Sequence, residues 1–188
     1  MKTSDQKTLL ILHGINGQAG NFWQQWLAKE LSESVRIIMP NLPNPKNPDR
    51  QEWIAAIKNE TAGEDLSGLV VVGHSLGVPA GLDFVETLNP NQRILGFISV
   101  AGFYKPYGLE LNEEYLAAKT IDIIKVRKAI QNRAVIRSKN DPYVSQEALG
   151  ELARGLQAND YVIRDGKHFQ HGKYISTFPL VKFLVEQM

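Results

Sequence analysis

A serine at the apex of a glycine-flanked turn constrains this chain more than any other feature. The apolar run Leu69-Val70-Val71-Val72 leads into Gly73-His74-Ser75-Leu76-Gly77, and residues 78–88 follow with a helical pattern. Strand, sharp turn and helix with G-x-S-x-G at the turn describe a nucleophile elbow. The turn brings the residues two before and two after the serine close together, where only small side chains fit. It lifts the hydroxyl above the end of the strand and aims the next helix's N-terminus at the same point. A strand that feeds straight into a helix belongs in an α/β architecture.

The rest of the chain repeats that alternation. Short apolar runs at 8–12, 35–39, 69–72, 94–100, 134–137 and 161–164 predict six strands. Most are apolar without a polar/apolar rhythm, as suits strands buried on both faces of a parallel sheet. Helical patterns are expected at 21–33, 49–61, 78–88, 145–157 and 177–187. The second opens with Asp49 and Glu52 in capping-box-like spacing. The expectation is one doubly wound domain over residues 1–188, a chain length that fits a single core.

Two stretches interrupt the rhythm. Residues 41–48 hold three prolines and read as a plain connector after the second strand. Residues 103–132 exceed what one crossover helix needs. With helical patterns at 113–119 and 122–131, they read as a small cap near the serine. Phe103, Tyr104, Tyr107, Leu109, Leu111, Tyr115 and Leu116 give this segment enough apolar surface to line a short pocket or to pack onto the core.

Charge and composition remove several alternatives. A net charge of +1 gives no electrostatic case for a nucleic acid or an anionic membrane as partner. The absence of cysteine excludes disulfides, thiolate metal sites and a cysteine nucleophile. Residues 1–6 lead into only four strongly apolar positions, Leu9 to Leu12, too few for a signal peptide or a membrane span. A cytoplasmic protein is the default expectation.

A serine hydroxyl needs a base within hydrogen-bond reach, and the base needs an orienting acid. In the elbow-bearing α/β-hydrolases the chain order is serine, acid, histidine. After Ser75 the only histidines are His168 and His171. His168 follows the last strand through Asp165-Gly166-Lys167, where a base-bearing loop belongs. After the preceding strand, Ser138-Lys139-Asn140-Asp141-Pro142 offers one carboxylate, Asp141, with Asp165 as the fallback acid. The oxyanion needs two backbone N–H donors. Leu76 supplies one by its place after the serine. The glycine-rich loop His13-Gly14-Ile15-Asn16-Gly17-Gln18-Ala19-Gly20 supplies the other, through Ile15 or in reserve Asn16. That loop lacks the spacing of a dinucleotide site and the Lys-Ser/Thr of a P-loop. His13 and His74 read as structural residues flanking the site, and no metal or other cofactor is expected.

Leu12-His13-Gly14 with Trp23 and Trp26, Met39-Pro40-Asn41 with Trp53, the Ser75 elbow, Ser99-Val100-Ala101-Gly102-Phe103, residues 133–141 and Gly166-Lys167-His168-Phe169 together carry a resemblance. The chain resembles the small serine hydrolases of the YdeN and retinoblastoma-binding-protein-like family. The resemblance spans nearly the whole sequence and implies the same triad of Ser75, Asp141 and His168. Asn140 and Lys167 depart from it, since relatives often carry aspartate and glycine there. The expected fold is a three-layer α/β/α hydrolase fold with a mostly parallel six-stranded sheet and a small cap. The expected activity is cleavage of carboxylic esters of small or medium acyl groups through an acyl-enzyme. The same residues serve thioesterases, amidases and acyltransferases. A hydrolase-fold protein acting through a protein partner is the alternative from another class, and a complete triad argues against it.

Overall fold

The computed structural model describes residues 7–188, so the reading of residues 1–6 falls outside it. Strands β1 (Thr8–Leu12), β2 (Arg36–Ile38), β3 (Leu69–His74), β4 (Ile94–Val100), β5 (Ile130–Ser138) and β6 (Asn159–Ile163) form one sheet in the order β2-β1-β3-β4-β5-β6. Every pairing is parallel, so the sheet is wholly rather than mostly parallel. Side chains that alternate along each strand divide the core in two. Leu9 and Ile11 face α1 (Trp23–Leu31) and α7 (Pro179–Gln187). Leu10 and Leu12 face α2 (Arg50–Glu60), α3 (Gly77–Glu86) and α6 (Gln146–Leu156). The result is the three-layer α/β/α hydrolase fold. Strand order reverses between β1 and β3, and in such sheets the crevice at the carboxyl ends of those strands is where ligands bind.

The segment between β4 and β5 carries α4 (Glu110–Ala117) and α5 (Ile123–Lys128). The helical pattern over 122–131 therefore ends early, because β5 already begins at Ile130. The backbone of Asn132 pairs with Gly96 of β4, and its amide side chain donates to Leu95 O at 2.9 Å. The expected cap thus loses residues 130–132 to the sheet.

One buried cation fastens this segment to the body of the fold. Arg50, 4 % exposed, donates through Nε and Nη2 to Asp83 at 2.7 and 2.9 Å, and Asp83 has no exposure at all. Its Nη1 donates to the carbonyls of Tyr115, Leu116 and Lys119, which satisfies the otherwise orphaned C-terminal end of α4. Breaking a buried pair on one side strands the other charge. Asp83→Ala is accordingly expected to lower stability by roughly 3–5 kcal/mol, read as a shift in the urea midpoint. A loss below about 1 kcal/mol, the scale of an exposed pair, would show that the guanidinium finds water instead.

Candidate active site

Ser75 occupies the elbow, with φ of 53°, a left-handed conformation that a serine adopts only when the surroundings impose it. They do so through backbone packing. A Cβ added at Gly73 would lie 2.9 Å from Gly77 O, so the residues flanking the turn are in contact. The glycine-rich loop after β1 passes over the serine: a Cβ on Gly14 would sit 2.9 Å from Ser75 Cβ.

Residues 41–48 are not the plain connector the sequence suggests. Leu42 N–H donates to His13 Nε2 at 3.0 Å, Asn41 Oδ1 accepts from Ala19 N–H at 2.8 Å, and Pro45 O accepts from Asn16 N–H at 2.6 Å. They brace the glycine-rich loop from behind. The fixed φ of Pro45 leaves its carbonyl presented to Asn16 with little entropy to lose. The Pro45 contact occupies the N–H of Asn16, the reserve oxyanion donor. Among the described residues, neither Ile15 N–H nor Leu76 N–H donates to a protein acceptor.

On the far side of the crevice, Asp141 and His168 come together across two loops. His168 Nδ1 lies 2.8 Å from Asp141 Oδ2, and the carboxylate side chain is fully buried. Asp141 Oδ1 accepts from the N–H groups of Tyr143 and Val144 at 2.9 and 3.0 Å. The carboxylate is thereby held in one orientation. With Nδ1–H directed at the acid, Nε2 is left as the acceptor of the neutral imidazole. Ser75 and His168 line one cavity of about 230 Å³ together with Ile15, Tyr107, Asn112 and Tyr143. The Tyr143 ring meets the His168 ring edge-on at 5.1 Å.

The two loops are stitched by Asn140. Its Oδ1 accepts from Ser138 Oγ at 2.6 Å and from Lys167 N–H at 2.9 Å, while its Nδ2 donates to Asp165 Oδ1 at 2.5 Å. Asp165, the fallback acid, is thus engaged with Asn140 rather than with His168. An aspartate at position 140 would set two carboxylates against each other, so Asn140 and Asp165 are a matched pair. Lys167 holds φ of 48°, which accounts for glycine suiting that position equally well. His171 is exposed and does not line the Ser75 cavity.

Both remaining histidines are structural and neutral. His74 Nε2–H donates to the carbonyl of His168 at 2.9 Å, an acceptor that fixes the tautomer. Burial is the main force pushing its pKa down to about 3, assisted by the nearby His168. His13 donates from Nδ1 to Gly14 O at 2.8 Å and accepts Leu42 N–H at Nε2, and burial lowers its pKa as well. In the unfolded chain both take up protons near pH 6.5, so the native state binds fewer protons and loses stability as pH falls below that value. For His74 the loss continues down to about pH 3, at about 1.4 kcal/mol per pH unit. His74→Gln keeps a side-chain N–H donor without titrating and is expected to flatten the fall in Tm between pH 6.5 and the acid limit. An unchanged slope would move the acid sensitivity to other groups.

Among the described residues no three His, Cys, Asp or Glu side chains converge as metal ligands, and no helix is long and apolar enough to cross a membrane. Sequence reasoning missed Asn112, Tyr143 and Gln170 on the cavity wall. Only Tyr143 carried a signal, its place two residues after the acid.

The model of the serine hydrolase family matches residues 9–187. The chain belongs to the serine hydrolase family. Within that family it is 32 % identical over 179 residues to the putative hydrolase YdeN of Bacillus subtilis, covering 93 % of this chain and 92 % of that protein. This serine hydrolase is also 22 % identical over 167 residues to the serine hydrolase RBBP9 of Rattus norvegicus, covering 87 % and 86 % of the two chains. The crystal structure of the ydeN gene product superposes with a TM-score of 0.89 at 30 % identity, over 97 % of this chain and 98 % of that one.

Proposed function

We propose that this serine hydrolase cleaves carboxylic esters of small or medium acyl groups with Ser75 as nucleophile, His168 as general base and Asp141 as orienting acid. The bond between His168 Nδ1 and buried Asp141, beside the serine on one cavity, carries this reading. Ser75 Oγ attacks the acyl carbon while His168 Nε2 takes its proton. The negative oxygen of the tetrahedral intermediate is stabilised by the N–H groups of Leu76 and Ile15. Collapse expels the alcohol, which receives its proton from His168 and leaves an acyl-Ser75 ester. Water then attacks that ester with His168 again as base, releasing the acid and restoring the hydroxyl. No step draws on a cofactor or a metal.

The size of the site supports this substrate range. The cavity of about 230 Å³ lies below the usual range for ligand pockets, roughly 300–1,000 Å³. In the segment that shades it, Phe103, Tyr104, Tyr115 and Leu116 are buried in the core, while Tyr107, Leu109 and Leu111 line the cavity. The aromatic-rich segment thus divides between packing and lining, too small for the lid of a lipase. Labelling with a fluorophosphonate followed by peptide mapping should place the adduct on Ser75, and activity on 4-nitrophenyl esters should peak at short acyl chains. An adduct on another serine, or a rate that climbs steadily through long chains, would overturn the assignment of nucleophile or of substrate size respectively.

A further inference from the structure

The cavity lining holds a polar pair whose hydrogen-bonding capacity is only half used. Asn112, 2 % exposed, stands in the first turn of α4. Its Nδ2 donates to the Tyr107 hydroxyl at 2.8 Å, and its Oδ1 has no partner among the described residues. Tyr107 is half-buried, and burial is the main reason its pKa rises to about 12. The phenol therefore stays protonated at neutral pH and, having accepted from Asn112, keeps its own O–H to donate. Side by side, the pair holds one donor, the Tyr107 O–H, and one free acceptor, Asn112 Oδ1, which has almost no exposed surface of its own. Turning the amide over exchanges which residue carries which, and one of each remains. A buried amide oxygen without a partner is costly to a fold and calls for an explanation. The other unpartnered buried atoms, on Gln24, Ser99, Tyr115 and Arg133, belong to residues that do not line this cavity.

The rest of the lining restricts what fits there. Among the described residues no lysine, arginine, aspartate or glutamate lines the cavity, so no side chain of fixed charge compensates a charged substituent there. A neutral group that donates and accepts within the span of a few atoms satisfies the pair, and a hydroxyl or a primary amide does this. A plain alkyl chain strips water from the Tyr107 O–H and leaves Asn112 Oδ1 still unpaired, and a site built to hydrogen-bond a substrate hydroxyl discriminates strongly against the analogue without it.

We propose that Tyr107 and Asn112 form a specificity site for a hydroxyl or amide substituent, so that the preferred substrates are short acyl esters carrying such a group rather than plain alkanoates. The proposal rests on the reading of Ser75 as the nucleophile in this cavity. Matched 4-nitrophenyl butyrate and 3-hydroxybutyrate test it in the native protein. The expected result is a ratio of kcat/KM of ten or more in favour of the hydroxylated ester. Tyr107→Phe and, separately, Asn112→Leu should bring that ratio close to one. Tyr107→Phe deletes a single oxygen at a half-buried position, so it keeps the test open even where the buried Asn112 variant fails to fold. A parallel NMR titration of Ser75→Ala with butyramide and 3-hydroxybutyramide reads the same preference without chemistry. Hydrolysis with equal rates for the two esters, or a preference that survives in Tyr107→Phe, would overturn this proposal and leave the esterase reading standing. No hydrolysis of either ester together with selective binding of the hydroxylated amide would uphold the specificity site and overturn the esterase reading instead.

Discussion

Ser75→Ala is expected to reduce ester hydrolysis by on the order of 10⁶ in kcat, the scale seen when the nucleophile of a serine triad is removed, and to abolish fluorophosphonate labelling. The fold should survive the change. The residue is nearly buried, alanine is smaller by one oxygen, and the elbow's φ of 53° is imposed by packing that the substitution does not touch. A circular dichroism melt at neutral pH should therefore overlay that of the unsubstituted protein. Residual hydrolysis within a factor of ten of the original, in a folded variant, would mean that another group attacks the ester.

His168→Ala is expected to cost about 10³ or more in kcat, since in the proposed mechanism it removes the group that carries the proton in both halves of the reaction. His171→Ala is the internal control and should change the rate less than two- or three-fold, because its ring is exposed and away from the cavity. Asp141→Asn belongs to the same experiment. An amide that donates to Nδ1 stabilises the wrong tautomer, with a loss of roughly 10⁴ when the same change is made in a serine-protease triad. Stopped-assay rates for the three variants on one activated ester are enough, and the reverse ranking of the two histidines would reject the assignment of the base.

Much of this arrangement was legible because chain order and strand order carry it. Each of Ser75, Asp141 and His168 follows the end of a strand that could be seen as an apolar run, and in a parallel sheet those ends lie on one side. The features that were hidden depend on backbone atoms or on distance. The bracing by residues 41–48 is made mostly by main-chain N–H and C=O groups, which leave no side-chain pattern. The start of β5 was hidden because Gln131 and Asn132 are polar and exposed, while Val126 and Ile130 keep a helical spacing across the junction. Asn112 reads as an ordinary helix residue, and only the fold brings it to within reach of Tyr107 and the cavity. The tie from Arg50 to Asp83 and α4 joins residues 33 and more positions apart, beyond any local pattern.

That tie has a consequence for how a lineage built on this scaffold diverges. It holds the C-terminal end of α4 while the other end, with the turn before it, lines the cavity beside Ser75. Mutations at the exposed positions 108, 110 and 111 thus fall in a stretch held to the body from elsewhere, so they can accumulate without loosening the helix or disturbing the loops after the strands. Selection for a new substrate and selection for foldability then act on separate stretches of chain, and relatives sharing every reacting group are free to differ in what they consume.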